Sequence, residues 1–292
     1  MQKFCRYIKI GYFHYAITKP TKRIMRNSTQ SKMLLCASVF LLGFLACKKD
    51  DPATTTPPPP PDVSFVEEFD TAANAFHRGW VPINNSSPKG SSVWTQGGAP
   101  VPFFPPFSSK GTYAGFLATD YLSTSGDADV ISNWLISPKI LMKNGDKIIF
   151  YTRTWLLPNA FVAGDSTDYG NNLEVCLNRK NDGTFVGVAT DPRSNSYTPA
   201  VDHGDFDLVL SITPPAYNVA ADYFEYPWAH SNKSLYEPGS FPATWTRFEV
   251  TVDGFVKPQV GRFAFRYYTL DAGSNGNGSG VGLDSVAYVS KK

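Results

Sequence analysis

The sequence predicts an all-β domain: an antiparallel two-sheet jelly-roll sandwich with long loop insertions, preceded by a signal peptide and a proline-rich spacer. Three observations predict it. Bulky residues recur at spacing two, with Phe65, Glu67 and Phe69 on one side of a strand, Phe248, Val250 and Val252 on a second, and Phe263, Phe265 and Tyr267 on a third. Short candidate strands near 63–69, 113–119, 130–136, 147–155, 172–178, 207–211, 245–252, 260–270 and 281–289 are divided by Gly, Pro, Asn and Asp, the punctuation of a sandwich. From Val63 onward no segment sustains a helical period.

Residues 1–46 form an N-terminal extension and signal. The apolar run from Met33 to Ala46 holds about 14 apolar or small residues, enough for a secretory core and short of the ~20 that span a bilayer. Arg26 and Lys32 supply its positive flank, and Cys47-Lys48-Lys49-Asp50-Asp51 follows it. The run resembles a lipobox, with Phe44 where such signals more often carry Leu. Cys47 is therefore expected to be lipidated, anchoring the protein to the outer membrane with its domain exposed at the cell surface. An ordinary signal peptide cleaved after Ala46 and a membrane anchor helix are the alternatives, and Met25 is a second candidate start.

Residues 47–62 read as a linker. Thr54 to Thr56 and then Pro57 to Pro61 favour an extended polyproline II spacer, at ~3.1 Å per residue, that holds a domain off a surface. Residues 63–292 have the composition of one jelly-roll domain, rich in aromatics with scattered Gly and Pro. The stretch from Asp191 to Pro242 is a long insertion with one clear strand, and insertions of that length are commonly functional.

Charge and cysteine usage change once the signal is set aside. Eight of the 27 Lys and Arg lie in residues 1–46, which hold no acid, leaving 19 basic against 25 acidic side chains and a net of −6. Nothing here argues for nucleic acid as a partner. Of the four cysteines, Cys5 and Cys36 fall in the signal and Cys47 is the anchor, so Cys176 is left alone and reads as a small buried hydrophobe.

Several motifs then fall in order: Glu67-Glu68-Phe69-Asp70, Gly79-Trp80, Trp134-Leu135-Ile136-Ser137-Pro138, Lys147-Ile148-Ile149-Phe150, Trp245-Thr246-Arg247-Phe248, Ala264-Phe265-Arg266-Tyr267 and Gly282-Leu283-Asp284-Ser285-Val286. The ordered set resembles the choice-of-anchor J or cleaved-adhesin family of secreted bacterial jelly rolls, over about residues 63 to 290. Asp284-Ser285 departs from the family's more usual acidic or Asp-Asn pair, as does the long insertion after Gly187. Within the most specific string, Trp134 and Ile136 are expected to face the core, Leu135 the opposite side, and Pro138 to stop the strand.

The resemblance implies a structural calcium ion where the first strand lies beside the last. The matching carboxylates are Glu67, Glu68 and Asp70 at the start and Asp284 at the end; the alternative is that Glu68 and Asp70 face solvent. Calcium takes six to eight oxygens, so carbonyls and loop residues would complete the set.

The loop aromatics point to a ligand surface. Trp94, Phe103, Phe104 and Phe107 sit among Gly and Pro, and Tyr217, Tyr223, Phe224, Tyr226, Trp228 and Tyr236 crowd the insertion. Of these, Trp94, Phe104, Tyr223, Tyr226 and Trp228 are the candidate ligand-binding residues, unless the rings pack under the loops as satellite cores. Asn85, Asn171, Asn172 and Asn195 could add hydrogen bonds to sugar hydroxyls, although turns favour asparagine for their own reasons. Gly273 to Gly280 lacks the lysine and following helix of a phosphate loop and reads as a hairpin connection.

No nucleophile elbow or His-x-x-His spacing is present, and Asp202-His203-Gly204-Asp205 reads as a solvated turn more readily than as part of a metal site. The expectation is a non-enzymatic surface lipoprotein that binds a glycan or protein ligand through one loop-bearing end of the jelly roll. The alternative is a structural or accessory component of an outer-membrane nutrient-uptake complex, and a hydrolase comes third.

Overall fold

A computed structural model of the chain describes residues 61–98, 104–108, 115–127, 129–158, 169–189, 202–212 and 241–292, with backbone alone at 166–167 and 235–236. In chain order the elements are β1 (Phe65–Glu67), α1 (Ala72–His77), β2 (Val81–Asn84), β3 (Thr95–Gln96), β4 (Leu117–Asp120) and β5 (Asp129–Ile136). Then follow β6 (Ile140–Met142), β7 (Lys147–Thr154), β8 (Leu157–Pro158), β9 (Ser166–Thr167) and β10 (Leu173–Asn178). The last are β11 (Asp207–Ile212), β12 (Leu235–Tyr236), β13 (Thr246–Thr251), β14 (Gln259–Ala272) and β15 (Gly280–Val289).

Two antiparallel sheets face each other, and the barrel is not closed. The first runs β13-β7-β15-β4-β3, with β1 beside β4 on one edge of β15; the second runs β12-β11-β10-β14-β5-β2, with β6 on β14 and a single parallel pair at β11 and β12. Each of the nine predicted strand regions carries a strand. The six-residue helix α1 is a correction: fewer than two turns are too short to show a period in the sequence, and it is held by its turn hydrogen bonds and by Ala72, Ala75 and Phe76 packed against the core.

The core lies between the sheets. From the first come Leu117, Ile148, Phe150, Phe248, Val250, Val281, Leu283, Val286 and Tyr288, and from the second Ile131, Leu135, Leu173, Val175, Leu177, Phe263, Phe265 and Tyr267. Their rings meet edge to face or stacked, Phe150 on Phe265 at 4.9 Å and on Phe248 at 5.6 Å. The Tyr288 hydroxyl donates to buried Asp146, whose carboxylate also accepts from Lys143 N at 2.9 Å and Lys291 N at 2.8 Å, so the last strand is pinned to the start of β7. Burial and that hydrogen bond push the Tyr288 phenol well above its ordinary value.

The orientation of the Trp134 string is the reverse of the expected one. Leu135 faces the core between the sheets, while Trp134 and Ile136 lie on the outer face of the second sheet. There Val186, ahead of the insertion, and Phe206, within it, cover them together with Cys176 and Ala264. A strand covered on both faces is apolar on both, so size alone does not say which side is inward.

Candidate functional site

A cleft of about 700 Å³ opens at the end of the sandwich where β4, β8 and the β14–β15 hairpin converge. Tyr121, Leu157, Pro158 and Tyr169 give it an apolar side; Asp127, Asp271 and the loop from Gly273 to Gly278 give it a polar one. Its size falls within the range of small-molecule sites.

Local chemistry fixes each wall. Tyr121 opens a short 3₁₀ turn that Asp120 caps by accepting from Leu122 N at 3.0 Å. Asp127, in the β4–β5 loop, accepts from Asn275 N at 3.1 Å and Asn275 Nδ2 at 3.0 Å, clasping the hairpin tip. Tyr169, itself left-handed at φ 51°, donates its hydroxyl to Pro158 O at 2.7 Å and accepts at its carbonyl from Gly278 N at 2.6 Å. Asp271 ends the regular part of β14 in the left-handed region, φ 50°, where aspartate is tolerated better than most residues.

Glycine is required at two places in this loop. Gly273 has φ 139° and a Cβ there would collide with the Gly126 carbonyl; Gly278 has φ 92° and a Cβ would lie 2.5 Å from the Tyr267 hydroxyl. Beneath the hairpin lies a buried amide. Asn171 Oδ1 accepts from Tyr267 Oη at 2.7 Å and from Ser279 N and Gly280 N at 3.1 Å each, while Nδ2 donates to Thr154 Oγ1 at 2.7 Å and Ser279 Oγ at 2.8 Å. Asn171 is therefore the strut of the cleft rather than part of its surface.

The carboxylates implied for calcium divide. Glu67 is buried and committed to Arg78, at 2.6 and 2.8 Å, and to Phe69 N at 3.2 Å; Asp70 is exposed. Asp284 sits at a bulge in β15, fully buried, and accepts from Phe107 N at 2.8 Å, Ser108 N at 3.1 Å, Ser108 Oγ at 3.0 Å and Ser285 N at 2.6 Å. Burial pushes its carboxyl up to about 6 against the pull of those donors. The same Ser108 hydroxyl lies 3.4 Å from Glu68 O, and Glu68 Oε2 is buried without a hydrogen-bond partner. Asp284, Ser108 and the Glu68 carbonyl come together as hard oxygen donors of the kind calcium takes, and Glu68 Oε2 has unspent acceptor capacity, whereas Glu67 is neutralised by its arginine.

The aromatic candidates are mostly interior. Trp94 is fully buried, its Nε1 donating to Asn133 O at 3.0 Å. Phe104 is buried against Phe116, Trp155 and Trp245, with the Arg153 guanidinium 4.1 Å from its ring centre. Trp94 is part of the main core and Phe104 of a satellite cluster, a correction to their reading as a ligand surface. Phe107 alone of that loop's described rings is open, stacked on Tyr151 at 3.6 Å. Tyr223, Tyr226 and Trp228 lie outside the described residues, as do Asn195 and Cys47. Asn85 binds Gly187 O at 3.0 Å, and Asn172 accepts from Ser211 Oγ at 3.0 Å.

On the outer face of the second sheet, Glu174, Cys176 and His203 bring ligand atoms within 4.8 Å of one another. Arg266 Nη1 stands 3.2 Å from Glu174 Oε2 and 3.3 Å from His203 Nε2, so a cation already occupies the place. Burial would raise the Glu174 carboxyl, but Arg266 and His203 overcome it and hold it below the usual range; burial keeps Cys176 a thiol. The group is an ion-pair cluster that fastens the 202–206 segment over the sheet, and the predicted solvated turn at His203 is instead mostly buried.

Sequence reasoning missed Tyr121, Asp127, Tyr169 and Asp271. The signal available was the glycine and asparagine density of the β14–β15 connection, which marks a wall with few side chains as well as a turn.

No family model matches the chain, and neither does any curated sequence. Among solved structures, the chain is similar to the K1 cleaved adhesin domain of Lys-gingipain from Porphyromonas gingivalis W83, at 15% identity and a TM-score of 0.42, covering 78% of this chain and 99% of that one. It is similar to the CBM22-1 and GH10 modules of a Clostridium thermocellum endo-1,4-β-D-xylanase complexed with xylohexaose, at 8% identity and 0.36, covering 79% of this chain and 28% of that one. A putative glycoside hydrolase from Bacteroides vulgatus follows at 14% and 0.34, covering 77% and 98%. No activity follows from likenesses this distant.

Proposed function

We propose that the protein is a non-enzymatic, lipid-anchored module of the outer-membrane surface that binds a glycan through the cleft at the loop-bearing end of its sandwich. The observation that carries this reading is the cleft itself, in which two tyrosines, Leu157 and Pro158 face a hairpin wall of backbone and amide groups. Sugars offer apolar C–H faces to rings and hydroxyl donors to carboxylate and carbonyl oxygens, and a cleft whose apolar side faces Asp127, Asp271 and a hairpin backbone suits them. Asn171 and the Asp127–Asn275 clasp hold that geometry before a ligand arrives, which limits the ordering cost of binding.

Calcium, when bound, would be held by Asp284, Ser108 and Glu68 and would supply positive charge to a desolvated carboxylate. Its role in this reading is structural. The anchor at Cys47 and the proline spacer account for placement. Cys47→Ser is expected to move the protein from the membrane to the soluble fraction on cell fractionation; retention in the membrane would remove the anchor.

The test of the binding reading is a glycan array with the purified protein, expected to show a selective glycan. Flat signals across polysaccharides count against it, and reducing ends released from a bound polysaccharide, lost in Asp127→Asn, would replace it with a hydrolase. A second reading, an accessory role in an uptake complex, draws on the open Phe107–Tyr151 stack, an apolar surface of the kind a protein partner covers. Co-purification with a membrane partner without glycan binding would favour it.

A further inference from the structure

We infer that the cleft selects uncharged glycans and discriminates against acidic ones. The inference rests on the cleft being the ligand site and concerns the charge class of what enters it. Asp127 and Asp271 line the cleft, and among its described lining residues there is no Lys, Arg or His. Asp127 is held in place by the Asn275 backbone and side-chain amides, so its negative end cannot swing away from an incoming anion without releasing the hairpin tip. Asp271 is fixed from the backbone side: it sits in the left-handed turn whose carbonyl accepts from Asn277 N at 2.7 Å. The amide donors that elsewhere cradle anions are already committed here. Asn275 N and Nδ2 point to Asp127, Gly276 N to Gly273 O, Asn277 N to Asp271 O and Gly278 N to Tyr169 O.

An acidic sugar in this cleft would therefore bring a carboxylate or sulfate within several ångströms of two acids, with no basic partner from the described lining. Coulomb repulsion at such distances amounts to about a tenfold loss in affinity even at high effective dielectric, and more if the cleft is partly desolvated. Neutral sugars meet no such penalty. The expected net charge of −6 from Cys47 onward adds long-range repulsion of the same sign.

The test is calorimetric titration of the purified protein with matched oligosaccharides: neutral gluco-, manno-, xylo- and N-acetylglucosamine oligomers, and oligogalacturonate and hyaluronan oligomers, each acid also as its methyl ester. The expected result is binding to at least one neutral oligomer, with acidic oligomers bound at least tenfold more weakly or not at all. Where a methyl ester binds, it should bind at least tenfold tighter than its acid. Asp271→Asn keeps a residue that tolerates φ near 50° while removing one charge, and should narrow the neutral-to-acidic ratio severalfold. Acidic oligomers binding as tightly as neutral ones, or a ratio unmoved by Asp271→Asn, overturns the charge selection and leaves the cleft as the ligand site. Binding of a neutral oligomer unaffected by Tyr121→Ala moves the ligand elsewhere and removes the reading on which the inference stands.

Discussion

Arg266→Ala is expected to destabilise the domain by about 3–5 kcal/mol, which for a domain of this size lowers the melting midpoint by roughly 10 °C. Arg266 and Glu174 are both fully buried, paired at 3.2 Å across β14 and β10, and the guanidinium also lies over the rings of Trp134 and Tyr268, at 5.1 and 4.0 Å. Removing the arginine strands a buried carboxylate with His203 as its remaining side-chain hydrogen-bond partner among the described residues, and opens a gap between two rings. The pH profile carries the sign of the effect. Glu174 is held below its ordinary range, so its contribution is present above the unfolded carboxylate pKa and is lost as pH falls through the lower folded value. Arg266→Ala should flatten that acid limb. A double change of Glu174→Leu with Arg266→Met, which removes both charges and keeps volume, should recover most of the loss; equal destabilisation by single and double variants in thermal unfolding would contradict the assignment of the cost to an unpaired charge.

Asp284 gives the opposite slope. Its folded pKa of about 6 lies above the ordinary aspartate value, so the contribution of this group is full below about pH 4 and is lost as pH rises through about 6, a change on the order of 3 kcal/mol. In chelator, the difference between wild type and Asp284→Asn is expected to fall across that window. Saturating calcium should reverse the loss at neutral pH, because a cation held by Asp284 and Glu68 favours the ionised form. The check is differential scanning calorimetry from pH 4 to 7.5 with calcium or with chelator. Identical midpoints in both at pH 7 would show that Ser108 and the backbone donors alone satisfy this carboxylate.

The framework was legible because β-sandwich strands announce themselves by spacing and punctuation. Phe263, Phe265 and Tyr267 read correctly as one face, and the nine strand regions are where the residues place them. Trp134 was misread for a physical reason: it shares a strand with Leu135 and Ile136, all three buried, and its true surroundings come from Val186 and Phe206, distant in sequence. The site was less legible. Tyr121 and Asp127 share the β4–β5 connection, Tyr169 lies between β9 and β10 and Asp271 at the end of β14, and none stands in a pattern that marks it; only the closure of the sandwich brings them to one end. Trp94 and Phe104 drew attention as rings among Gly and Pro, yet a large ring beside a loop is as well used to fill the space beneath it, and these two do so. Asp284 was singled out only by what the family resemblance implies about the meeting of first and last strands; in the structure β1 and β4 share the edge of β15 near it.

The central claim is that the cleft between Tyr121, Tyr169 and the β14–β15 hairpin is where ligand binds. The direct measurement is titration of the array-selected oligosaccharide into wild type and Tyr121→Ala, with the melting midpoint of each recorded alongside. Loss of one stacking ring should weaken binding by about tenfold or more while the half-buried Tyr121 leaves the midpoint within a few degrees. Affinity unchanged in a variant that remains folded would place the ligand on another surface of the sandwich.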